Sequence, residues 1–147
     1  MSETDIPEGF GPIFRRSNLL DLLGPFYSKG SGANLVIGLR AAEKHANMRG
    51  FVHGGVLASM ADIALGYSTS FSSDPPRPHV TASLTINYTS AARTGDWIEA
   101  RVEIMKTGKS MAFANCCLTV GETAIAHASG VFSVVTEGSQ DEMPKHS

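Results

Sequence analysis

The amino-acid sequence predicts an α+β domain in which a curved antiparallel sheet of five to six strands wraps around one long helix. Two observations predict this fold. Between residues 54 and 71, apolar side chains recur every three or four positions, which is typical of an amphipathic helix. After Pro78 the period changes to two and keeps that value as far as residue 135. Such alternation is typical of antiparallel strands with one buried face.

Length and composition indicate one folded domain. The chain has 147 residues, of which 42% are apolar and 18% charged, a balance that argues against disorder. The formal net charge of −2 gives no electrostatic reason to expect nucleic acid or an anionic membrane as a partner. No apolar run approaches the roughly 20 residues that span a bilayer, and the acidic start is unlike a targeting signal. We therefore expect a cytoplasmic protein.

The first half of the chain predicts a flexible segment, a short helix, one strand and the long helix. Residues 1–17 are polar and rich in Gly and Pro, and we expect the domain to span residues 18–136. Asn18 is the expected N-cap of a helix over residues 19–23, and residues 34–42 predict a strand. The apolar stripe of the long helix consists of Val56, Leu57, Met60, Ile63, Ala64, Tyr67 and Phe71.

The second half predicts a meander of four strands. These cover residues 80–89, 97–105, 110–120 and 123–135, and residues 137–147 form a polar tail that we expect to be flexible. In the first of them, strict alternation places Val80, Ala82, Leu84, Ile86 and Tyr88 on one side, and Thr81 on the other. One helix covers only part of such a sheet, and the sheet has two open edges, so an oligomer is expected.

The two cysteines give no sign of a disulfide or a metal centre. Cys116 and Cys117 are adjacent in a predicted strand, so their side chains point to opposite faces, and we expect both to be reduced. No spacing of Cys and His typical of a zinc site occurs. We expect neither a metal nor a cofactor.

Two titratable residues distinguish the long helix. His53 directly precedes it, within Val52-His53-Gly54-Gly55, and Asp62 lies in its middle, among Ala58, Ser59, Leu65 and Gly66. None of these neighbours is a cation that would explain a mid-helix aspartate. Taken singly, Asp62 is also compatible with a solvated surface residue, His53 with a helix cap, and the glycine pair with a turn.

Together these residues describe half of a hydrolytic site. Because Gly54 and Gly55 lack side chains, a carbonyl oxygen could reach the backbone N–H groups at the helix start, where the helix dipole favours an oxyanion. Asp62 could act as general base or as nucleophile. Nine residues of helix separate Asp62 from His53 by about 13 Å, so the two cannot act on one carbonyl group in the same subunit. The geometry requires an antiparallel partner helix in a dimer.

The sequence resembles the hotdog superfamily of thioesterases, in particular the branch of PaaI and acyl-CoA thioesterase 13. The resemblance covers residues 19–135. It depends on motifs at family-like spacing: Leu23-Gly24-Pro25-Phe26-Tyr27, Asn47 six residues before His53-Gly54-Gly55, Asp62 nine residues after His53, Asn87-Tyr88, Gly95-Asp96 and Lys106-x-Gly108-Lys109.

The resemblance implies a metal-free hydrolase of acyl-CoA or aryl-CoA thioesters that is active as a homodimer and assembles as a homotetramer. It implies that Asp62 is the base or nucleophile, that Asn47 and the Gly54 N–H hold the thioester carbonyl, and that His53 orients the thioester. Thr81 would position water. The remaining residues expected to contact substrate or CoA are Gly55, Lys106, Gly108 and Lys109, with the two lysines at the phosphates.

Two other functions stay open from the sequence. The first is a dehydratase or hydratase of acyl thioesters, in which a His and an acid on opposing helices act without a water nucleophile. The Gly-Gly after His53 speaks against it. The second is an acyl-CoA-binding protein without catalytic activity, which would need a partner domain such as a DNA-binding module. Residues 1–17 are too few for one.

Overall fold

A computed structural model describes residues 5–135. They form two α-helices, two short 3₁₀ turns and seven strands. Residues 1–4 of the predicted flexible start and the predicted tail, residues 137–147, lie outside the described residues. The elements in chain order are β1 Gly11–Pro12, α1 Asn18–Leu23, β2 Phe26–Lys29, a 3₁₀ turn Gly32–Asn34, β3 Val36–Arg40, a 3₁₀ turn Glu43–His45, α2 Gly54–Ser70, β4 His79–Tyr88, β5 Trp97–Thr107, β6 Met111–Val120 and β7 Thr123–Val134.

The strands form one antiparallel sheet in the order β1-β2-β3-β5-β6-β7-β4. The α+β architecture with one long helix is therefore confirmed. The sheet has seven strands rather than five to six because residues before β3 add two short strands. β1 has two residues and β2 has four, and strands this short contain too few residues to show an alternating pattern.

Element boundaries differ from the predicted ones by a few residues. Ser17, not Asn18, caps α1: its Oγ accepts a hydrogen bond from the Leu20 N–H at 3.2 Å. β3 begins at Val36 rather than at residue 34 because the preceding residues form a 3₁₀ turn. The long helix ends at Ser70, with Phe71 as its cap, close to the predicted end before the proline-rich loop.

Helix α2 packs on one face of the sheet and contacts β3, β4, β5, β6 and β7. Its buried face is rotated from the predicted stripe by about one residue, or 100°. Ala61, Leu65 and Ser68 are fully buried beside Leu57, Met60 and Ala64, whereas Val56, Ile63 and Tyr67 are only partly buried. Ala61 and Ala64 at the centre of this face let the sheet approach the helix backbone closely. The spacing of large apolar residues did not predict this face.

The described residues contain two free cysteines and no helix that could span a membrane. Cys116 and Cys117 are both free thiols. Burial, and secondarily the neighbouring Cys117, raises the pKa of Cys116 to about 12, so this thiol stays protonated near neutral pH. Neither helix among residues 5–135 is long and apolar enough to cross a membrane.

The strand β4 forms one edge of the sheet and pairs only with β7 within the chain. It has 10 residues, and its second row of backbone N–H and C=O groups faces away from β7. A long unpaired edge of this kind is normally covered in a native protein. Because β4 also contacts α2, it joins the open edge of the sheet to the helix that carries Asp62.

Candidate active site

The start of α2 leaves one backbone donor free. His53 is the N-cap, and its ring Nδ1 accepts a hydrogen bond from the Gly55 N–H at 3.0 Å. The expectation that both glycine N–H groups are open to a ligand is therefore wrong for Gly55, whose N–H the histidine already satisfies. Within the described residues the Gly54 N–H has no hydrogen-bond partner, and it lies where the helix dipole is positive.

A tyrosine of the edge strand fixes the same helix start. The Tyr88 hydroxyl donates a hydrogen bond of 2.6 Å to the carbonyl oxygen of Gly54. A Cβ built on Gly54 would lie 3.1 Å from Tyr88 Cζ, a distance that forces the tyrosine ring to move. Gly54 therefore lets the ring of Tyr88 lie directly against the first turn of α2.

Asn47 lies on an exposed turn that runs back along the residues before α2. An isolated bridge pairs Ala46 with Val52, and the His53 N–H donates to the His45 carbonyl at 2.8 Å. The Asn47 Oδ1 accepts from the N–H groups of Arg49 at 2.9 Å and Phe51 at 3.2 Å. Two backbone donors on one side-chain atom identify it as the oxygen. The amide Nδ2 is then the atom left to donate to a ligand.

Asp62 on α2 is hydrogen-bonded to Thr81 on β4, so two candidate catalytic residues lie in direct contact. The Thr81 hydroxyl donates a hydrogen bond of 2.7 Å to Asp62 Oδ1. Asp62 is partly exposed and Thr81 is exposed, so the pair is open to solvent. The bond occupies one oxygen of the carboxylate and fixes its orientation, which leaves the other oxygen available to accept a proton or to attack a carbon atom.

A β-bulge in β4 brings Thr81 to the helix. Thr81 pairs with Phe132, but Ser83 pairs with Val131, so the register shifts across Ala82. Since directly opposed residues of antiparallel strands share a face, Thr81 lies on the same side as Phe132 and Leu84. Strict alternation, which placed Thr81 opposite Leu84, was therefore wrong on this point. A bulge commonly redirects a side chain next to a functional site, and no residue pattern marks this one.

The two half-sites stay apart within one chain. The free Gly54 N–H and the Asp62 carboxylate lie on the same helix, eight residues apart, which corresponds to about 12 Å. On β4, Tyr88 and Thr81 lie seven residues apart, a backbone separation of about 23 Å. One chain therefore presents a free backbone donor and a carboxylate along the same edge, too far apart to contact one ester group.

The lysines expected at the CoA phosphates lie at the far end of α2 from Gly54. Both are exposed: Lys106 lies near the end of β5, and Lys109 lies on the turn between β5 and β6. Arg77 holds this turn by donating from Nη2 to the carbonyls of Gly108 and Lys109, both at 2.8 Å. The backbone of Arg77 is in turn tied to the helix end, because its N–H donates to the Ser70 carbonyl at 3.0 Å.

A cavity of about 500 Å³ lies one helical turn beyond Asp62. Gly66, Tyr67, Phe71 and His79 contribute to its wall. His79 Nδ1 lies 2.8 Å from Thr69 Oγ1, and the Thr69 hydroxyl donates to the Leu65 carbonyl at 2.9 Å, so His79 is the donor of the pair. Burial, and secondarily the charge of Arg77, lowers the pKa of His79, which favours its neutral form.

Sequence reasoning missed the roles of Tyr88, Arg77 and His79. Tyr88 was assigned to one face of β4 and to a family-like motif, and no motif links it to Gly54, which lies 34 residues away. The signal that could have found it is its parity, since an aromatic residue on the helix-facing side at the end of β4 must contact the helix start. Among residues 5–135, no group of three or more metal-binding side chains could hold a metal ion.

Sequence comparison finds thioesterase relatives. A family model described as the thioesterase superfamily matches residues 49–127. The chain is 49% identical over 129 residues to a Pseudomonas aeruginosa protein provisionally named an esterase, covering 87% of this chain and 96% of that protein. It is 31% identical over 96 residues to acyl-coenzyme A thioesterase 13 of Mus musculus, covering 65% of this chain and 68% of the mouse protein.

Solved structures share the fold. The Escherichia coli PaaI protein of the phenylacetic acid degradation operon superposes with a TM-score of 0.75 at 18% identity, covering 82% of this chain and 86% of that one. A Streptococcus mutans protein bound to acetyl-CoA superposes with a TM-score of 0.70 at 18% identity, covering 84% and 91%. These likenesses confirm the predicted hotdog fold.

Proposed function

The chain belongs to the thioesterase superfamily, in the PaaI-like and acyl-CoA thioesterase 13-like branch of the hotdog fold, and we propose that it hydrolyses acyl-CoA or aryl-CoA thioesters. The observation that carries the proposal is the hydrogen bond of 2.7 Å between Thr81 and Asp62. An oriented carboxylate beside a hydroxyl, on the helix whose start bears a free N–H, is a hydrolytic half-site. The mouse relative is named for acyl-CoA hydrolysis, and a structural neighbour binds acetyl-CoA.

The working unit is a homodimer formed by pairing β4 with a second copy of itself. Opposed residues of antiparallel strands share a face. The two-fold axis must therefore lie where one residue of β4 opposes its own copy in the partner, since an axis between two successive residues would pair side chains of opposite faces. With the axis at Thr85, Leu84 opposes the partner's Ile86, and the Thr81–Ala82 bulge opposes the partner's Tyr88. Neighbouring strands lie about 5 Å apart, so this pairing joins each Asp62 to the partner's helix start.

Hydrolysis then follows from the two half-sites. The partner's Gly54 N–H and Asn47 Nδ2 donate to the thioester oxygen and stabilise the negative charge that forms on it. Asp62 either removes a proton from water, whose oxygen bonds to the carbonyl carbon, or attacks that carbon itself before water releases the acid. In both routes the carbon–sulfur bond breaks, and CoA leaves as the thiolate. Thr81 orients the carboxylate or the water.

The C-terminal end of α2 offers contacts for the parts of the substrate beyond the thioester. We assign the cavity beside Gly66 and His79 to the acyl or aryl group, because it opens one turn of α2 beyond Asp62. The CoA phosphates would meet Lys106 and Lys109, whose turn Arg77 anchors. The homotetramer stays a prediction.

Release of CoA tests the activity directly. Purified protein should liberate free thiol from a panel of acyl-CoA and aryl-CoA esters, and Asp62→Asn should lower turnover by about a thousandfold or more. Melting of the Asp62→Asn variant should match that of the parent, because the carboxylate is partly exposed. Enoyl-CoA produced from a 3-hydroxyacyl-CoA, without thiol release, would indicate a dehydratase instead. Tight binding without either product would indicate a binding protein.

A disulfide across the axis tests the dimer. In Thr85→Cys the two introduced residues face each other at a distance that suits a disulfide, so oxidation should yield covalent dimers. Asn87→Cys is the matched control: it lies on the same face of β4 but opposes the partner's Ser83, not its own copy. Covalent dimers from the control but not from Thr85→Cys would contradict the proposed axis.

A further inference from the structure

The peptide group between Gly54 and Gly55 is hydrogen-bonded at both ends. Its carbonyl oxygen accepts from the Tyr88 hydroxyl at 2.6 Å, and its N–H donates to His53 Nδ1 at 3.0 Å. The phenol, the peptide and the imidazole therefore form one continuous chain of hydrogen bonds. A donor on an amide oxygen polarises the amide and makes its N–H a stronger donor, so the two bonds strengthen one another.

This chain determines which nitrogen of His53 carries the proton. Because Nδ1 accepts the Gly55 N–H, it must be unprotonated, and the neutral ring carries its hydrogen on Nε2. His53 is exposed, and no hydrogen bond from Nε2 to another described residue competes for that hydrogen. The result is an outward-facing Nε2–H beside the free Gly54 N–H.

We propose that Tyr88 is a positioning residue, which acts through the Gly54–Gly55 peptide to hold His53 in the tautomer that donates from Nε2 to the thioester. The inference rests on the proposed function for its ligand, but the hydrogen-bond chain exists without one. Two donors, the Gly54 N–H and the His53 Nε2–H, would then face the substrate from one helix start. The other tautomer would offer a lone pair there and repel the same oxygen or sulfur atom.

The packing of Tyr88 supports a specific role rather than general stabilisation. Its side chain is 47% exposed, so the ring contributes little to the core, yet its hydroxyl is directed inward to a backbone carbonyl. The position that Tyr88 contacts is a glycine whose Cβ would lie 3.2 Å from the phenol oxygen. On β4 the tyrosine shares the helix-facing side with Thr81, which orients the carboxylate of the other half-site.

The experiment compares Tyr88→Phe with the parent by long-range proton–nitrogen NMR of the histidine rings. In the parent, His53 should show an unprotonated Nδ1 and a protonated Nε2 at a pH where the ring is neutral. In Tyr88→Phe we expect a mixture of the two tautomers. Tyr27→Phe is the matched control because it also removes a phenol hydroxyl. The ring of Tyr27 packs on Trp97 of β5, away from His53.

Kinetics give the second readout. Tyr88→Phe should lower kcat in proportion to the fraction of His53 that leaves the Nε2–H tautomer, about twofold for an equal mixture, with little change in KM or melting temperature. In a His53→Ala background the same substitution should have no further effect on kcat, because Tyr88 acts through the histidine.

Identical His53 tautomers in the parent and in Tyr88→Phe would overturn the inference, whatever the kinetics show. An additional loss of kcat in the His53→Ala background would overturn it as well. Absence of thioesterase activity in the parent would instead refute the proposed function, and the NMR comparison would still decide whether Tyr88 sets the tautomer.

Discussion

The two ends of strand β4 hold α2 in different ways, and under the proposed function one end binds the substrate while the other carries out the chemistry. At one end, Tyr88 donates to a backbone carbonyl and leaves a backbone N–H free at the helix start. At the other end, Thr81 donates to a side-chain carboxylate in the middle of the helix. The first end offers donors to an oxygen atom, and the second offers an acceptor to water or to carbon.

Each end depends on a different feature of the backbone. The Tyr88 end needs a glycine, because the tyrosine ring occupies the space of a side chain at Gly54. The Thr81 end needs a bulge at Ala82, because strict alternation would turn the threonine away from the helix. In the proposed dimer, such a chain carries two incomplete sites, and an antiparallel copy of β4 would complete both at once. The edge strand β4 thus both completes the sheet and supplies Thr81 and Tyr88 to the candidate site.

At the Tyr88 end of β4, the largest fall in turnover is expected when the free Gly54 N–H is removed. Gly54→Pro removes this donor, and proline suits the first position of a helix. His53, at φ −63° and ψ 137°, has the conformation that a residue before proline prefers. Turnover should fall about a hundredfold, as for other oxyanion donors. Gly54→Ala is the control, because it adds the same Cβ against Tyr88 but keeps the N–H. Equal kcat for the two variants would show that the donor has no role.

A smaller effect is expected at the Thr81 end. Thr81→Val keeps the shape of the side chain but removes the hydroxyl that orients Asp62, so kcat should fall about tenfold. Thr81→Ser keeps the hydroxyl and should retain most of the activity. Since Thr81 is exposed, neither change should alter the melting temperature much. Loss of activity in the serine variant equal to that in the valine variant would indicate a packing role instead.

The smallest expected effect is a pH dependence of stability caused by His79, which lies two residues before Thr81 on β4. The folded state lowers the pKa of His79 from 6.5, through burial and secondarily through Arg77. As the pH falls below 6.5, the unfolded chain therefore binds the proton first, and stability decreases. His79→Gln removes this titration and should reduce the loss of Tm on acidification. An equal or larger loss of Tm in the variant would contradict this interpretation.

The sequence predicted the fold and named the residues of the candidate site, but it did not predict how those residues are connected. Periodicity identified the long helix and the meander, because each spans many residues of constant period. It placed Thr81 on the wrong face, because one bulged residue at Ala82 reverses the parity and leaves no mark in residue type. It treated the Gly55 N–H as free, because residue type does not tell whether the His53 ring caps the helix or points to a ligand. The contacts of Tyr88 and His79 join residues distant in sequence and were equally hidden.

The central claim is that one thioester needs Asp62 from one chain and the helix start of its partner. Mixed dimers of Asp62→Asn and Gly54→Pro chains, isolated through two different tags, test it most directly. If the site is shared, one of the two sites in the mixed dimer carries both substitutions and the other carries neither. Such dimers should show about half of the turnover of the parent dimer, although each variant alone is nearly inactive. Mixed dimers as inactive as the two variants would contradict the claim, because a site within one chain would always retain its own defect.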